Sequence, residues 1–152
     1  MNFIRTDSQA ALNSLLKNTR ETLDHYKDAA ELVDDGYAQL IRDIARERRI
    51  FIRHLEDAVR ASGSLPTVPD PDKEAGEMLI HHVAAMIKSN YAPDVFEQRI
   101  EGEKNLTALV DEAKKTEIET AHINLLNDFT AHIEETMARL QSAQAELPSH
   151  SE

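Results

Sequence analysis

The sequence has no cysteine. Thiolate metal sites, disulfides and cysteine nucleophiles are therefore excluded, and any chemistry falls to carboxylates, histidines and arginines. The most informative of these is Arg48. Between Tyr37 and Leu55 the apolar residues Tyr37, Ile41, Ile44, Phe51 and Leu55 follow the spacing of a bundle-helix seam, and Arg48 occupies the seam position between Ile44 and Phe51. A guanidinium there faces the core, cannot lose its proton, and costs several kcal/mol if left unpaired. A buried acid has to meet it.

Glu103 is that acid, standing on a second seam with Phe96, Arg99, Leu106, Val110 and Ala113. His132 stands on a third, with Ile118, His122, Leu125, Phe129, Thr136, Leu140 and Ala143. Laid side by side, the helices bring Arg48, Glu103 and His132 to one level as a polar cluster in the core. Three kinds of chemistry are open to it. Arg48 and Glu103 can form a buried ion pair that fixes helix register. Glu103 and His132, with Glu47 and Asp128, can ligate iron or manganese through oxygen and nitrogen. Arg48 can also grip a small anion. The ion pair is the expected reading, because two ligands are too few for a tight metal site and an adjacent arginine repels a cation.

Other candidates are weaker. Glu119-Thr120-Ala121-His122 is the one literal Glu-x-x-His, yet it lies near the start of its helix, where an acid is favoured by the macrodipole without any metal. His81 and His82 are adjacent, so on a helix they diverge by about 100° and do not chelate together. No nucleophilic triad, phosphate loop or nucleotide fingerprint is present. No catalytic residue is assigned.

The elements that must position these residues are all helices, expected over about 7–34, 37–61, 73–90, 94–115 and 117–145, with 146–152 as a tail. The first is capped by Asp7 or Ser8 and carries Leu12, Leu16, Thr19, Leu23, Tyr26, Ala30 and Val33, widened by Leu15, Thr22 and Ala29. Asp34-Asp35-Gly36 is a short turn, which makes the first two helices antiparallel. Pro66, Pro69 and Pro71 break the helix before a crossover helix bearing Met78, Leu79, His82, Val83 and Met86 on one face. Gly102 lets another backbone approach Glu103.

At 152 residues and 41% hydrophobic, the chain is read as one domain with an adequate core. Its net charge of −11 argues against nucleic acid and anionic membranes as partners. No apolar run reaches the length of a membrane span, and Met1 to Asp7 leads into a polar segment unlike a secretion signal, so a cytoplasmic location is expected. The Met-bearing crossover helix suggests a homo-oligomer, a dimer in the simplest case.

Two helical hairpins joined by a long crossover are the layout of ferritin-like four-helix bundles. More narrowly, the chain resembles the uncharacterised ferritin-like bundle proteins of bacteria, a family of unknown function. The likeness lies in Asp28-Ala29-Ala30-Glu31 after Tyr26, in Arg48 with Phe51 and Leu55, and in Gly102-Glu103, and spans about Leu12 to Leu140. The wider ferritin-like pattern implies one Glu on each of two helices and Glu-x-x-His on each of the others, holding two metal ions. Here Glu47-Arg48-Arg49-Ile50 and Asp128-Phe129-Thr130-Ala131 lack the histidine, the first helix offers Leu23 in place of an acid, and Glu103 alone matches. The expectation is a non-catalytic bundle protein without a cofactor, its metal site degenerate and replaced by the Arg48–Glu103 pair. The alternative is an iron- or manganese-binding or redox protein.

Overall fold

A computed structural model describes residues 6–66 and 92–147, which form four helices and no strand. They are α1 (Asp7–Glu31), α2 (Asp35–Ala61), α3 (Ala92–Lys114) and α4 (Thr120–Glu146). The expected crossover helix over 73–90 lies outside the described residues.

Helix ends follow local chemistry. Thr6, not Asp7 or Ser8, caps α1: its hydroxyl accepts from the Gln9 N–H at 3.2 Å, while the Gln9 side chain accepts from the Thr6 N–H at 2.9 Å. Only Thr6 has a glutamine three residues on to complete this reciprocal box. α1 ends at Glu31, earlier than expected, because Asp34 turns extended to serve as the cap residue of α2. Gly36 is therefore inside the first turn of α2. Ala92 opens α3 with Pro93 behind it, where a missing N–H costs nothing. α4 begins at Thr120 rather than 117, leaving Glu119 before the helix, with its carbonyl accepting from the N–H groups of His122 and Ile123 at 2.9 and 3.1 Å.

Apolar side chains fill the interior in two clusters. Tyr26, Ala29, Ile41, Ile44, Phe96, Ile100, Leu140 and Ala143 close one end of the bundle. Leu12, Leu16, Ile52, Leu55, Leu106, Val110, Leu126 and Ile133 close the other. The late part of α1 thus meets the early parts of α2 and α3 and the late part of α4. α1 packs on α2 and α3, and α4 packs on both of them as well; every packed pair is antiparallel. α2 therefore ends at the opposite end of the bundle from the start of α3. Arg48 and Glu103 fall between the two apolar clusters. On α2 the buried line runs through Ile44, Arg48, Ile52 and Leu55, with Phe51 half-buried at its border. Among the described residues no helix is long and apolar enough to cross a membrane.

Candidate functional site

Among the described residues Arg48 is the largest fully buried side chain, at 0% exposure. Its Nη1 donates to Glu103 Oε2 at 3.0 Å and to Thr22 Oγ1 at 3.0 Å, and its Nη2 donates to Glu103 Oε1. Its Nε donates to His132 Nε2 at 3.3 Å. One arginine on α2 is thus tied to α1, α3 and α4. The planar fork of the guanidinium matches the two carboxylate oxygens, the geometry in which a buried pair best offsets its desolvation. Thr22 accepts from Arg48 because its own proton is given to the Thr19 carbonyl at 2.6 Å. The rings of Tyr26 and Phe129 lie 5.5 and 5.6 Å from the guanidinium carbon, so apolar surface as well as acid surrounds the charge.

His132 completes the cluster as a neutral ring. Accepting from Arg48 requires a free lone pair on Nε2, which the hydrogen-bond pattern assigns by placing the proton on Nδ1. Burial, then the charges of Arg48 and Arg139, push its pKa down to about 3. The ring stacks on Phe51 at 4.8 Å between centroids, and Phe51 stacks in turn on Phe129 at 5.0 Å. Glu47 stands on the Nδ1 side, 3.9 Å away, but both its oxygens accept from Arg139, at 2.9 and 3.0 Å.

A second cation lies one turn before Glu103. Arg99 is buried and holds its guanidinium carbon 5.8 Å from the Tyr26 ring. Burial lowers its pKa, against which Tyr26, Glu103 and Asp28 act. The Tyr26 phenol moves the other way, raised far above its usual value by burial and then by the charge of Glu103, which it faces without a well-formed hydrogen bond. Arg48 and Arg99 are therefore balanced by two buried acids, Glu103 and Asp28. On the outer side a cavity of about 440 Å³ between α1 and α3 is lined by Thr22, Arg99 and Gly102.

Of the residues singled out in the sequence, Arg48, Glu103 and His132 come together, and Glu47 stands beside them paired to Arg139. Asp128 is exposed, because it sits a residue before buried Phe129 and so points away from the core. His122 is half-buried near the start of α4. No set of three or more His, Asp or Glu side chains able to hold a metal ion gathers among the described residues. Among the described residues no second backbone approaches Gly102: what lies nearest is the Arg99 side chain, 3.5 Å from where a Cβ would stand. Sequence reasoning named Asp28 only within the family likeness, not as a core acid, and missed Arg139. Neither stands on a seam; only the proximity of Asp28 to Tyr26, one turn below Thr22, hinted at the first.

Compared with protein-family models, with curated proteins and with solved structures, the chain matches none.

Proposed function

We propose that the chain is a ferritin-like bundle, cytoplasmic and non-catalytic, in which the Arg48–Glu103 pair occupies the core position where a metal site would be built. On this reading the protein acts by associating with itself or with a partner. The observation that carries it is the occupancy of Glu103: both carboxylate oxygens accept from Arg48, and the Nε2 lone pair of His132 accepts from the same guanidinium. A metal ion needs those lone pairs. To take them it has to displace a cation that cannot deprotonate, leaving a guanidinium at 0% exposure without its acid, an exchange that costs several kcal/mol. The opposite placement of the end of α2 and the start of α3 supports a crossover connection of the ferritin-like kind.

Elemental analysis of the purified protein tests the core reading. We expect no stoichiometric iron, manganese or zinc and no rise in melting temperature on adding iron(II) or manganese(II). Near-stoichiometric metal that Glu103→Ala removes overturns it in favour of a metal-binding protein. Sedimentation across a concentration range tests association, with a species above monomer mass as the expected result.

A further inference from the structure

Although the chain carries 28 acids against 17 Lys and Arg residues, one face of α2 gathers cations. Arg42, Arg46, Arg49 and Arg53 recur at helical spacing along it and are all exposed. Like charges three and four residues apart on a helix repel one another. An acid-rich protein has ample means to neutralise them, as it does elsewhere: Arg20 meets Glu56, Arg60 meets Glu56 and Asp57, and Arg139 meets Glu47. On this face Arg46 has an exposed contact to Asp43 at 3.2 Å, while Arg42, Arg49 and Arg53 make no ion pair or hydrogen bond among the described residues.

Three of these arginines border a cavity of about 350 Å³ between α1 and α2, joined from α1 by Lys27. Its apolar lining is small, made by Ala30, Ala45 and Tyr26, all buried. Among the described residues Glu31 is the one acid lining it, so four cations there face a single carboxylate. The volume falls within the range of small-molecule sites, roughly 300–1,000 Å³. Arginine forks and a lysine point charge around a concave, partly apolar seat are the chemistry that recognises clustered phosphate oxygens.

We propose that the cavity between α1 and α2 bordered by Lys27, Arg42, Arg46 and Arg49 binds a phosphorylated small molecule. The site is on the outside of the bundle and does not depend on the core reading: Arg48, at 0% exposure with Glu103, Thr22 and His132 as partners, takes no part in it.

Inorganic tripolyphosphate is the probe, titrated into the intact protein by calorimetry at physiological salt. Binding at one site per chain is expected. The double variant Arg42→Gln/Arg49→Gln should weaken it roughly tenfold or more, as loss of charge-assisted hydrogen bonds implies. Arg53→Gln, on the same helix face but outside the cavity, should change it by no more than about twofold, because screening attenuates distant exposed charges. An unchanged melting temperature in each variant shows that the fold is retained. Three outcomes overturn the proposal: no binding at millimolar tripolyphosphate, equal weakening by Arg53→Gln, which marks diffuse counterion attraction, or tighter binding of a polyglutamate peptide than of tripolyphosphate, which marks a surface for acidic polypeptide.

Discussion

Arg48 and Glu103, 55 residues apart in sequence, meet as a two-pronged ion pair that neither shares with water, their side chains being 0% and 1% exposed. Neither can be removed alone without stranding the other. Arg48→Ala should destabilise the protein by about 3–5 kcal/mol, because the desolvation of Glu103 is then uncompensated. Arg48→Met combined with Glu103→Leu should cost far less, since a well-packed apolar pair replaces the charges at similar volume. Urea unfolding followed by circular dichroism measures both. Equal damage from the single and the double change would show that the two side chains do not depend on each other.

His132 should make stability fall in mild acid. Folding holds its pKa at about 3, below the ordinary 6.5 that it regains on unfolding, so the unfolded chain binds one more proton at any pH between the two. Stability from the neutral ring is thus complete above pH 6.5 and declines as pH drops toward 3, with a slope of at most ~1.4 kcal/mol per pH unit. His132→Gln, which keeps an acceptor available to Arg48, should lose less stability than the parent between about pH 7 and about pH 5. Parallel curves for the two proteins would refute the account.

The same imidazole should respond to a change on its far side. Arg139 lowers the pKa of His132 by its own charge and also neutralises Glu47, 3.9 Å from Nδ1. Arg139→Ala removes the first effect and exposes the ring to the second, so the pKa should rise. The cost in stability should stay near 1 kcal/mol or below, the scale of a partly exposed pair. Proton NMR of the His132 ring across a pH series reads the shift directly; an unmoved titration would mean that burial and Arg48 set the value without Arg139.

How much of this was legible in the sequence depends on which residues an apolar period can place. Phe96, Arg99, Glu103, Leu106, Val110 and Ala113 are all buried as the seam on α3 requires, and α3 buries Val95 and Ile100 beside it. Arg48 stood out because an interrupted stripe identifies the interrupting residue. On α2 and α4 the stripe is broader than one seam: Ile52, Leu126 and Ile133 are buried although the alternating spacing passed them by, since each helix of a four-helix bundle touches two others. Side-chain reach was not legible. Glu47 lies beside Arg48 on the helix and yet turns to Arg139 on α4, and Arg99 lies over the ring of Tyr26 on another helix; neither follows from spacing. The cap was legible and misplaced: Thr6 and Gln9 form the reciprocal pair that Asp7 and Ser8 cannot.

Gly102 separates a packing role from a merely permissive one. A glycine beside a buried acid suggests close approach of another chain segment, but the position is helical and half-buried. Among the described residues an added Cβ would meet only Arg99 Nη1, at 3.5 Å, an ordinary van der Waals distance to the end of a flexible side chain. With no steric term against it, the backbone entropy of glycine dominates, and Gly102→Ala should stabilise the protein by about 0.5–1 kcal/mol. The gain should appear as a higher urea midpoint with an unchanged slope, since the surface exposed on unfolding barely alters. Destabilisation by more than that amount would mean that Arg99 cannot yield, and that its place against the Tyr26 ring is fixed as tightly as that of Arg48.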